Sequence, residues 1–102
     1  MPRSALLAVV FVAAALPAFA AIDCSRATSN ADRLVCSNTS LALAEEQMAF
    51  AYRQAIRRGA NPSELQRTQN EWKQSVRDMC NDVPCLRRAY EERAADLDNI
   101  GR

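Results

Sequence analysis

The chain has 102 residues, with 13 lysines and arginines against 12 aspartates and glutamates and no histidine. So even a balance argues against nucleic acid or an anionic membrane as the main partner, since both select a basic excess. The missing imidazole removes the most versatile acid–base catalyst and the usual activator of a serine or cysteine nucleophile.

Residues 1–20 read as a signal peptide. Met1-Pro2-Arg3 is a short cationic start, Ala5 to Leu16 is apolar throughout, and Ala18-Phe19-Ala20 supplies a small-x-small cleavage motif. The apolar run falls short of the roughly 20 residues a spanning helix needs, so no stable membrane insertion is expected. Cleavage after Ala20 leaves one domain, residues 21–102, with Arg3 the only charge lost and the acids and bases in balance. A domain this small has a marginal core and calls for covalent staples. Cys24, Cys36, Cys80 and Cys85 answer that need in an exported chain, and with no histidine present they read as two disulfides, not a metal site.

Taken in order, Ser29 or Asn30 caps a short helix through Cys36, with Asp32 near its positive end. Asn38 caps the next helix; Asn38-Thr39-Ser40 also matches a glycosylation acceptor, but capping is the more economical reading. Leu41, Ala44, Met48, Ala51, Tyr52 and Ala55 then hold one apolar face as far as Ile56, and Gly59 ends the helix. Asn61-Pro62-Ser63-Glu64 starts the third helix with a cap, a first-position proline and a glutamate at the third position. Leu65, Gln69, Trp72, Val76 and Met79 are expected to face inward along it. Cys80-Asn81-Asp82-Val83-Pro84-Cys85 makes a corner, Asp82 caps the last helix, and Leu86, Tyr90, Arg93 and Leu97 line its inner face until Gly101.

Three long helices joined by short turns run up, down and up. The fold class is therefore all-α: a small, disulfide-stapled, antiparallel three-helix bundle with a short additional N-terminal helix. This topology gathers the four cysteines at one end. The local pairs, Cys24 with Cys36 and Cys80 with Cys85, are preferred, while geometry leaves crossed pairing open. Glu45 comes level with Arg77, and an ion pair between them is expected at the bundle edge.

The carboxylate pairs Glu45-Glu46, Glu91-Glu92 and Asp96-Asp98 are close neighbours on helices and point in different directions, so they do not form a cleft of facing acids. With Gly59 and Gly101 as the glycines of the mature chain there is no phosphate-cradling loop, and Cys-x4-Cys is not the oxidoreductase spacing. Nothing calls for a cofactor, a metal or an enzymatic activity, although a carboxylate-based hydrolase is kept as an outlying reading.

One set of residues carries a family likeness. Asp23-Cys24, Cys36-Ser37-Asn38, Leu41, Tyr52, Gln69-x-x-Trp72, Arg77-Asp78-x-Cys80 and Cys85-Leu86-x-x-x-Tyr90-x-x-Arg93-x-x-x-Leu97 together resemble the exported domain typified by LprI-type lysozyme inhibitors. Glu45 stands where that family typically has aspartate, and Thr39 where proline is common. The resemblance implies a periplasmic or secreted, monomeric binding protein that occupies a lysozyme cleft, and the alternative is an envelope interaction module with another protein partner. Because a lysozyme cleft carries two carboxyls, an inhibitor should bring hydrogen-bond donors to it. The Arg58 to Ser63 loop, with Arg58, Asn61 and Ser63 as donors, is the expected binding element.

Overall fold

The structure, a computed structural model, describes residues 22–102, so the expected signal peptide and its cleavage site lie outside the described residues. A single 3-10 turn at Cys24–Arg26 leads into α1 (Asn30–Ser37), and three longer helices follow: α2 (Thr39–Arg57), α3 (Pro62–Ser75) and α4 (Val83–Asp98). Among the described residues no helix is long and apolar enough to cross a membrane.

Each helix starts where its capping side chain requires. The side-chain oxygens of Ser29, Asn38, Asn61 and Asp82 accept from the backbone N–H groups of Asp32, Leu41, Glu64 and Cys85, at 2.9–3.1 Å. Each cap satisfies one of the donors that a helix N-terminus leaves without an internal partner. At the other end of α2, Gly59 turns the chain at φ 106°, a backbone region that favours glycine.

Side-chain pairings fix the topology. Arg87 at the start of α4 donates to Ser40 at the start of α2 at 2.6 Å, and Arg58 just past α2 donates to Leu97 and Ile100 at the end of α4. Helices α2 and α4 are thus parallel, and they are the most closely packed pair. Alanines make that approach possible: Ala44, Ala51, Ala55 and Ala89 are buried among Leu41, Leu86 and Leu97. Helix α3 runs the other way, as Tyr52 facing Gln66 and Met48 facing Gln69 show.

Disulfides join Cys24 to Cys36 and Cys80 to Cys85, so the local pairing is the one formed. The first ties the N-terminal arm to α1. The second closes the corner between α3 and α4.

The expected inward run of α3 is corrected at its end. The helix stops at Ser75, Val76 leaves helical geometry with φ −120° and ψ −62°, and a 3-10 turn spans Arg77–Met79. Val76 and Met79 consequently face solvent, 42% and 70% exposed, while Arg77 is 3% exposed. The reason is electrostatic. The turn delivers the Arg77 guanidinium to three acceptors at once, and a buried charge is tolerated only when its donors are satisfied.

Candidate functional site: a polar cavity beneath the stapled corner

Helix α3 meets the α2–α4 pair through Leu65 and Trp72, and polar side chains fill the space between those two contacts. Gln69 donates to the Met48 sulfur at 3.0 Å and accepts from Arg93 Nε at 2.8 Å, while a terminal nitrogen of Arg93 reaches Thr68 Oγ1 at 3.1 Å. Burial pulls the Arg93 pKa below its usual value, and Asp96 and Tyr52 oppose that shift without reversing it. Tyr52 and Tyr90 flank this layer, and the Trp72 and Tyr90 rings sit 5.7 Å apart at a tilt of 57°.

Toward the stapled corner, Arg77 organises a second polar layer. Its Nε donates to the Tyr90 hydroxyl at 2.8 Å, one terminal nitrogen to Asp78 at 2.6 Å, and the other to Asp32 in a short charge-assisted bond. Burial works against the Arg77 charge, yet Tyr90 and Asp32 outweigh it and hold the guanidinium protonated beyond its ordinary range. Burial likewise pushes the Tyr90 hydroxyl up to about 12.

The expected pair between Glu45 and Arg77 is not made. Arg77 turns instead to Asp32 on α1, which the first disulfide and the Ser29 cap hold in place. Glu45 is left 8% exposed, with no hydrogen bond or ion pair among the described residues. Desolvation raises its pKa from 4.5 to about 7; Arg77 and Lys73 pull it down, and Glu46 and Asp32 push it up.

Glu45 opens onto a cavity of about 410 Å³ between α2, α3 and the N-terminal arm. Trp72 and Met48 form its apolar wall; Asp32, Lys73, Arg77 and Asn70 are among its polar groups. A recess of this size lies within the ordinary range for small-ligand sites, about 300–1,000 Å³. Among the described residues, no group of three or more histidine, cysteine, aspartate or glutamate side chains is placed to hold a metal ion.

The sequence-predicted loop is built differently from what its residue types suggested. Arg58 Nε and one terminal nitrogen donate at 2.8 Å to the carbonyls of Ile100 and Leu97, so its guanidinium closes the end of α4. Gly101 turns back over it at φ 80°, where an added Cβ would meet Arg58 Cβ at 3.3 Å. The Ser63 hydroxyl donates to Asn61 Oδ1 at 2.9 Å, and that same oxygen caps α3. The three side chains share one end of the bundle, but they are engaged in finishing helices.

Sequence reasoning missed the cavity because it assigned Glu45 a partner. The signal was nonetheless present: Glu45 falls on the Leu41, Ala44, Met48 and Tyr52 face, an inward position for a carboxylate. Set against protein-family models, curated proteins and solved structures, the chain matches none of them.

Proposed function

We propose that this chain is a non-catalytic binding protein of the periplasm or the cell exterior whose partner is a protein, with a lysozyme the specific candidate. Two disulfides suit an oxidising compartment, and the spacing of cysteines, Trp72, Arg77 and Tyr90 resembles LprI-type lysozyme inhibitors. The observation that carries the binding reading is the exposed pair Val76 and Met79 beside a covalently closed corner. Two apolar side chains held out on a rigid support favour docking, since burying them gains hydrophobic free energy with little ordering cost.

A turbidity assay of lysozyme on cell walls, with the purified oxidised protein in molar excess, tests this directly. Inhibition that is weakened by Met79→Ser and Val76→Ser supports the reading. Undiminished lysis at excess protein removes lysozyme as the partner.

A second reading, an envelope interaction module with no effect on lysozyme, is favoured by the engagement of Arg58, Asn61 and Ser63 in helix ends. Those bonds leave the loop fewer donors to offer a cleft. An Asn61→Asp, Ser63→Ala variant keeps a capping oxygen at residue 61. Full inhibition by it would exclude these two positions, whereas Arg58→Ala perturbs the end of α4 and cannot be read as a contact test.

A further inference from the structure

We infer that the Glu45 cavity is a binding site for an uncharged polyhydroxylated ring, a sugar unit, and this stands independently of any lysozyme partner. Three features select that chemistry. The first is the carboxyl itself: 8% exposed, lining the cavity, and bonded to no described residue, so both oxygens are available to hydroxyl donors. A buried polar group without a partner is costly, and a ligand that supplies one recovers that cost.

The second is charge balance. Asp23 and Asp32 on the wall, joined by Glu45 when it is ionised, are matched by Arg26, Lys73 and Arg77. A ligand ammonium drawn to Glu45 would lie among Lys73 and Arg77, and a ligand carboxylate drawn to Lys73 would meet Glu45 and Asp32. A neutral ligand with alternating donors and acceptors suits such a wall, because hydroxyls can donate to the carboxylates and accept from Lys73 and from the Asn70 amide.

The third is the apolar side. Trp72 and Met48 border the same cavity, and an indole provides a flat surface for the C–H face of a ring. Trp72 is itself held by Tyr90, with ring centroids 5.7 Å apart, and Met48 by Gln69. The wall is therefore set before any ligand arrives, which limits the ordering cost of binding.

Trp72, the sole tryptophan in the chain, makes the test direct. Its fluorescence is followed while the purified oxidised protein is titrated with methyl glucoside, methyl mannoside and N-acetylglucosamine. Glucosamine and glucuronate serve as cationic and anionic counterparts of the same ring. At least one neutral sugar should give a saturable change with Kd at or below the millimolar range, about 4 kcal/mol of binding, and bind at least about tenfold tighter than either charged form. Glu45→Ala and, separately, Asn70→Ala should each weaken it by about tenfold or more, with helical circular dichroism retained. The proposal is overturned if none of the neutral sugars perturbs Trp72 up to roughly 50 mM, well above that range. Tighter binding of a charged form, or a response that survives both substitutions, overturns it equally.

Discussion

Arg77 Nε and the Tyr90 hydroxyl meet at 2.8 Å in the interior, joining the turn after α3 to the middle of α4. The same guanidinium reaches Asp32 on α1, so one side chain ties three parts of the chain together. Tyr90→Phe keeps the ring packed on Trp72 but strips the Nε acceptor. A loss of about 1–3 kcal/mol in urea unfolding is expected, the cost of a buried donor left unmet. Unchanged stability would show that water replaces the hydroxyl.

Arg77→Met should cost about 1–3 kcal/mol, because it leaves the buried Tyr90 hydroxyl and the partly exposed Asp32 and Asp78 carboxylates without their donor. A double-mutant cycle identifies the partner. Arg77→Met with Asp32→Asn should show a coupling of about 1 kcal/mol or more, while Arg77→Met with Glu45→Gln should show markedly less, as the geometry couples Arg77 to Asp32. The reverse ranking would restore the Glu45 pairing.

Glu45 makes stability depend on pH in a predictable direction. Its folded pKa, about 7, lies above the ordinary 4.5, so the folded state favours the protonated carboxyl. The Glu45 contribution to stability should be fullest below pH 4.5, fall as pH rises toward 7, and level off beyond, an effect of up to about 3 kcal/mol. Glu45→Gln should flatten that part of the profile and unfold at higher urea than the wild type at pH 8. Urea midpoints across the range decide it, and parallel profiles for the two proteins would contradict the assignment.

Arg58→Ala should loosen the end of α4 by about 1–3 kcal/mol, since two carbonyls lose a charged donor. Hydrogen exchange should quicken at residues 97–102 and stay slow at the stapled corner. Equal acceleration throughout would mean that Arg58 supports the whole fold.

Replacing Cys24 and Cys36 by serine removes the larger covalent loop, at about 3 kcal/mol in the chain-entropy model; the shorter Cys80–Cys85 loop contributes about 2 kcal/mol. Because Asp32 lies inside the first loop, its loss should also weaken the coupling to Arg77. Thermal melts of the two double variants measure the ranking.

The capping residues and the inward stripes of α2 and α4 could be read directly from the chain because both depend on neighbours within a turn or two. Asn38, Asn61 and Asp82 sit where their side chains reach the next free N–H, and Leu41, Met48, Leu86 and Tyr90 recur at helical spacing. Periodicity failed at Val76 and Met79. A continued helix would place them inward, but the bonds available to Arg77 turn the chain there, and those bonds come from residues distant in sequence.

By itself, then, the sequence determined an all-helical chain with its caps, its turns and the residues of its apolar faces. Which carboxylate answers Arg77, and which is left facing a cavity, only the tertiary structure decided. Helix propensity and amphipathic pattern act over a few residues, whereas partner choice among charges depends on distances set by how far α3 stands from α2 and where the first disulfide holds α1.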